Sequence, residues 1–226
     1  MRNNAFEATM SRLRHRLTLP LPGRDIYMEM APQNPMHRVV AVARARGCRE
    51  GAVLILLYPK GDEIHVVLTE RAATLSSHAG QVSLPGGRVD AGETVVDAAL
   101  REAWEELRIE RDALTVLGTL SELYIPPSNY CLQPVVAMAH DRPEFIPQPD
   151  EVEAVIEAPL GAFTDPVNRH EEEWIIQGEP RRVPFFRVGP YKVWGATAMM
   201  INEFLAVWDT MPESDAPLGT KLSATG

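Results

Sequence analysis

Glu102, Glu105 and Glu106 stand at spacings i, i+3 and i+4. On a helix turning about 100° per residue, the three carboxylates share one face within an arc of roughly 100°. Such groups repel unless a cation sits among them, and an all-oxygen set suits Mg²⁺ or Mn²⁺, whereas zinc wants His or Cys. Taken alone, a glutamate-rich helix reads more readily as a solvated acidic face. The neighbouring residues favour chemistry. Pro85-Gly86-Gly87 lies just upstream, where backbone can turn tightly and offer a carbonyl to a cation. Glu93 and Arg101 are opposite in charge, eight residues apart and able to pair. The six histidines show no H-x-H or H-E-x-x-H spacing, and no dinucleotide or P-loop glycine pattern occurs.

These carboxylates need a helix to carry them. Thr94 is a capping hydroxyl and Asp97, three residues on, its capping-box partner. Val96, Ala99, Leu100, Ala103 and Leu107 form the apolar stripe that packs such a helix down.

The run Gly87-(five residues)-Glu93-(seven residues)-Arg101-Glu102-Ala103-Trp104-Glu105-Glu106-Leu107-Arg108-Ile109 resembles the Nudix box, G-x5-E-x7-R-E-U-x-E-E-x-G-U. Ala103 is a small member of the apolar class, and Arg108 replaces the second glycine, which unsettles the expected helix end. The resemblance implies a Nudix-type α/β/α sandwich with a mixed sheet, of the α/β (α+β) class. It implies that Glu102, Glu105 and Glu106, joined by the Gly86 carbonyl, hold Mg²⁺ or Mn²⁺. Gly87, Glu93 and Arg101 become structural members, Glu102 the proton acceptor, and homodimerisation an expectation.

Leu68, Thr69, Arg71, Gly80, Pro85, Gly86 and Gly87 resemble, in register, the signature of the coenzyme A pyrophosphatases within that superfamily. This implies a small-molecule substrate, coenzyme A or an acyl derivative, contacted by Arg71, His78, Gly80 and Gln81. Ala72, Leu84 and Ser76 depart from the signature. Ser76 stands where an arginine could grip phosphate bidentately, a role open to His78 or an N-terminal arginine. Another nucleoside diphosphate derivative (ADP-ribose, a dinucleoside polyphosphate or a nucleoside triphosphate) is the alternative substrate, and a non-catalytic nucleotide-binding module the alternative class. Downstream likeness at residues 130–136, 149–153 and 194–198 extends the resemblance over about residues 51–208. Tyr130 and Trp194 read as core or pocket wall, and Glu151 and Glu153 as a solvated turn or a source of one more ligand.

Around this unit, Phe6, Met10, Leu13 and Leu17 recur at helical spacing, and Leu19–Pro35, with four prolines, reads as an extended arm. Strands are expected over 52–58, 64–69, 114–120, 132–138, 153–157 and 183–188, and a last helix over 196–208. The expected organisation is an N-terminal helix and arm (1–50), a hydrolase domain (51–210) and a flexible tail (211–226). The net charge of −9, with 22 Lys plus Arg against 31 Asp plus Glu, argues against non-specific nucleic-acid binding. The longest apolar run, 52–58, is far short of a membrane span. A cytoplasmic protein without nucleic-acid or membrane partners is expected. Cys48 and Cys131 lack C-x-x-C spacing and read as buried small hydrophobes, not as a disulfide.

Overall fold

In the computed structural model, residues 2–32, 40–72 and 80–212 are described. Helix α1 (Arg2–Leu17) is followed by two short turns, α2 (Arg24–Tyr27) and α3 (Val40–Ala45). Strands β1 (Arg49–Lys60), β2 (Glu63–Arg71), β3 (Val82–Ser83) and β4 (Gly86–Arg88) lead into α4 (Val95–Leu107). Then come β5 (Leu114–Thr119), β6 (Leu123–Ile125), β7 (Tyr130–Ala139), β8 (Val152–Pro159) and the turn α5 (Gly161–Thr164). The chain closes with β9 (Arg169–Ile176), β10 (Glu179–Val188), β11 (Tyr191–Trp194) and α6 (Gly195–Asp209).

β1 organises the larger sheet, running antiparallel to β2 and β4 and parallel to β7. A strand covered on both faces needs no polar side, which accounts for its unbroken apolar run. Ala52, Leu54, Leu56 and Tyr58 pack with Ala99, Leu100, Ala103 and Leu107 of α4. Val53, Ile55 and Leu57 point the other way, into a cluster with Phe6, Met10, Leu13 and Leu17 of α1 and with α6. The result is helix, mixed sheet, helix, as expected. β9, β10 and β11 form a separate antiparallel sheet.

Three readings need correction. The arm expected over 19–35 is not simply extended in its described part, 19–32: Gly23, at φ 69°, donates its N–H to Glu203 Oε1 at 3.0 Å and opens α2 and a 3₁₀ turn over Met28–Met30. This buries Tyr27 and Met30 in the core. Arg108 does not unsettle the end of α4. It takes up the left-handed conformation itself (φ 57°, ψ 33°), with its guanidinium 4.4 Å over the Trp104 ring. That contact offsets part of the roughly 1–2 kcal/mol cost of a non-glycine residue there. Cys48 and Cys131 are bonded to each other across 83 residues, where β1 and β7 pair. The 213–226 part of the tail lies outside the described residues.

The disulfide should leave no thiol open to alkylation until a reductant is added. Its loss should then cost up to about 4 kcal/mol by loop entropy, measured by urea unfolding. Free thiols in the untreated protein would refute the bond.

Glu157 on β8 accepts from Nε and Nη2 of Arg142 (2.7 and 2.8 Å), from Lys60 (3.1 Å) and from the Tyr58 hydroxyl (3.0 Å). Arg142 is the main reason its carboxyl is pushed down to about 2. Because the folded value lies below the unfolded one, this stabilisation is full above about 4.5 and is lost as the pH falls toward about 2. Glu157→Gln should flatten the stability–pH curve in that window, and an unchanged slope would contradict the assignment.

Candidate active site

Helix α4 begins as its sequence dictates. Asp97 N–H donates to Thr94 Oγ1 at 3.1 Å, and Thr94 N–H to the Asp97 carboxylate at 3.3 Å, closing the capping box. One turn on, Arg101 gathers the acids. Its Nε donates to Glu93 at 2.8 Å, and its terminal nitrogens reach Glu102 (2.8 Å), Glu105 (3.1 Å) and the Arg88 carbonyl (2.8 Å). The expected Glu93–Arg101 pair is therefore present, but it is one arm of a larger clamp. Glu93 lies below the ordinary carboxylate range, chiefly because of Arg101.

Glu106 is set apart. Its side chain is only 3% exposed, one oxygen accepts the Gly86 N–H at 3.4 Å, and Oε2 has no hydrogen-bond partner. Burial pushes its carboxyl up to about 8, against the pull of the Gly86 N–H, with the Glu102 charge adding to the rise. Burial also raises Glu102. Glu151, in the loop before β8, adds repulsion at both. That loop is tied to the helix end by Gln148 N–H donating to the Glu106 carbonyl at 2.8 Å. Glu153, on β8, is exposed.

The two glycines are required by contact. A Cβ at Gly87 would stand 2.3 Å from Glu102 Oε1, and one at Gly86 would stand 2.4 Å from the Ala52 carbonyl oxygen. Among the described residues, no three His, Cys, Asp or Glu side chains are already drawn into a cation-holding group, since Arg101 occupies Glu102 and Glu105. The unmatched oxygen of Glu106 fits a divalent cation nonetheless: burial disfavours the charged carboxylate, and a hard cation beside it would offset that cost.

Gly86 and Gly87 form part of the wall of a cavity of about 880 Å³ between the two sheets. Arg71 and Gln81 line it, as the sequence led one to expect, and so do Tyr130 and Trp194. Gly80 lies behind them, at φ 70°, donating its N–H to the Arg71 carbonyl at 3.0 Å. His78 and Ser76 fall outside the described residues. Two lining arginines were missed: Arg49, at the start of β1, and Arg181, on β10. Neither sits in a motif, and only the pairing of distant strands brings them to the cavity. Among the described residues, the charged members of the lining are all arginines, Arg49, Arg71 and Arg181.

A family profile described as NUDIX domain matches residues 49–176. The chain belongs to the Nudix family. It is 39% identical over 165 residues to "Nudix hydrolase 22, chloroplastic" of Arabidopsis thaliana, covering 68% of this chain and 53% of that protein. It is 38% identical over 160 residues to "Uncharacterized Nudix hydrolase NudL" of Escherichia coli O7:K1 (strain IAI39 / ExPEC), covering 69% and 80% respectively. The chain spans about half the length of the plant relatives it matches. The crystal structure of the Mycobacterium protein titled "Nudix Hydrolase from M. Smegmatis, RenU" shares the fold, with a TM-score of 0.52 at 23% identity over 74% of this chain and 90% of that one. No helix among the described residues is long and apolar enough to cross a membrane.

The Nudix glycines give a contrast to test. Gly86→Ala drives a Cβ into β1 backbone and should cost about 3 kcal/mol, whereas Gly87→Ala displaces only a carboxylate at the end of a side chain and should cost about 1 kcal/mol. Equal losses in urea unfolding would contradict these contacts.

Proposed function

We propose that this Nudix protein hydrolyses the diphosphate of coenzyme A, or of an acyl derivative, to 4′-phosphopantetheine and adenosine 3′,5′-bisphosphate. Glu102, Glu105, Glu106 and the Gly86 carbonyl are the residues proposed to hold Mg²⁺ or Mn²⁺. The observation that carries the reading is the unmatched Glu106 oxygen, set behind two glycines that open onto a cavity lined by Arg49, Arg71 and Arg181. The match of residues 68–87 to the coenzyme A pyrophosphatase signature favours coenzyme A over other diphosphates.

A divalent cation bound there neutralises charge on the diphosphate and makes the attacking water easier to deprotonate. The chain's own residues supply the rest of the proposed chemistry. Arg71 faces the cavity from β2, close enough for its charge to act on Glu106, and is the group that grips a diphosphate oxygen beside the box. Gln81 offers an amide to the same anion, and His78 is proposed to stand in for the arginine that Ser76 replaces. Glu102 accepts the proton from water, since burial makes it a stronger base than an exposed carboxylate. Arg101 keeps Glu102 and Glu105 aimed, while Glu93 anchors Arg101.

Incubation with coenzyme A and Mn²⁺ should release the two named products. Glu106→Gln, which keeps shape and removes charge, should lower the rate by about a hundredfold or more, with the fold intact by circular dichroism. Brisk cleavage of ADP-ribose or a dinucleoside polyphosphate with coenzyme A untouched would replace the substrate assignment. Nucleotide binding without hydrolysis of any diphosphate would turn the reading to a non-catalytic module.

A further inference from the structure

The cavity holds more positive charge than a diphosphate beside a cation needs. In a chain of net charge −9, its lining carries, among the described residues, three arginines and no Asp or Glu. Arg71 belongs to the box end, where its charge acts on Glu106. Arg49 and Arg181 arrive from other walls, one at the β1–β7 edge and one on the separate three-stranded sheet.

Arg181 lies beyond residue 176, where the family match ends, and is placed by strand alternation. Its neighbour Arg182 turns outward, 62% exposed, and meets Glu171 at 3.4 Å. Arg181 turns to the cavity instead, and its Nε is buried without a hydrogen-bond partner. A guanidinium nitrogen removed from water with nothing to donate to costs stability, and an incoming anion offsets that cost. Arg49 is pre-oriented, its guanidinium 4.4 Å over the Tyr130 ring and donating to the Ser128 carbonyl. The Cys48–Cys131 bond, one residue away on each strand, keeps that edge fixed.

We infer that Arg181 and Arg49 form a second anion subsite, which reads a phosphate monoester on the substrate away from the diphosphate that is cut. A monoester carries about −1.5 to −2 charge at neutral pH and three acceptor oxygens, a match for two guanidinium forks. The inference rests on the proposed substrate in one respect: coenzyme A carries such a group at its 3′ position, and 3′-dephospho-coenzyme A does not. Arg181 is then the residue that makes the enzyme prefer the 3′-phosphorylated form.

Calorimetric titration of the full chain with adenosine 3′,5′-bisphosphate and with AMP tests the subsite without relying on catalysis. The unaltered protein should bind the bisphosphate at least about tenfold more tightly. Arg181→Gln should remove about tenfold from that affinity and leave AMP within about twofold, with Arg181→Lys intermediate and Arg182→Gln unchanged. In hydrolysis, Arg181→Gln should raise KM for coenzyme A and leave 3′-dephospho-coenzyme A as before. Equal binding of the two nucleotides by the unaltered protein, or equal weakening of both by Arg181→Gln, would overturn the subsite. Coenzyme A cleaved without any 3′ preference sinks this inference alone. An Arg181-dependent bisphosphate preference in a protein that leaves coenzyme A intact sinks the substrate reading alone.

Discussion

Under helix α4, the Glu106 carboxylate is held out of water with one oxygen reached by the Gly86 N–H and the other unmatched. Several features of the surrounding structure serve to keep it there. Ala98, Ala99 and Ala103 are small enough to let the helix settle onto β1, and that approach carries Glu106 inward. Gly86 and Gly87 have no Cβ because one would strike the Ala52 carbonyl and the other the Glu102 carboxylate. The capping box fixes where the helix starts, and so which residues face the sheet. An unpaired buried carboxylate is a liability to a fold that has no use for it. Here the packing on three sides enforces it.

Arg101 answers the second electrostatic problem of the site, the crowding of Glu93, Glu102 and Glu105. It is about a quarter exposed, so the attraction in its ion pairs is set against the cost of taking the charges partly out of water. Their value is geometric. A planar guanidinium that meets three carboxylates and a backbone carbonyl fixes the side-chain directions of Glu102 and Glu105 before any ligand arrives.

What could be read from the sequence follows from how local each signal is. The helix start at Thr94, the box spacing and the doubly covered strand β1 rest on contacts within a few residues or on unbroken apolar runs, and all three are found where expected. β9, with the sequence Arg-His-Glu-Glu-Glu-Trp-Ile-Ile, passed unnoticed because its charges hide its alternation, and only pairing with β10 makes it a strand. The Cys48–Cys131 bond spans 83 residues and depends on the parallel register of β1 and β7, which no short window contains. Arg108 misled in the opposite direction: a missing glycine pointed to a lost helix stop, yet stacking on Trp104 lets an arginine take the same conformation.

The charge of the molecule shows the same division between local and long-range information. Residues 88–106 hold six acids and two arginines, so the net of −4 around one helix is plain in the sequence. Its counterpart is not, because Arg49, Arg71 and Arg181 are scattered over more than 130 positions and converge only through strand pairing. A strongly acidic surface slows an anion's approach, but focusing by a low-dielectric cleft depends on the charges that line it. A lining whose charged members, among the described residues, are all arginines therefore stands apart in space from the acidic box. Carboxylates gather on α4, and guanidinium groups gather in the cavity beyond the two glycines.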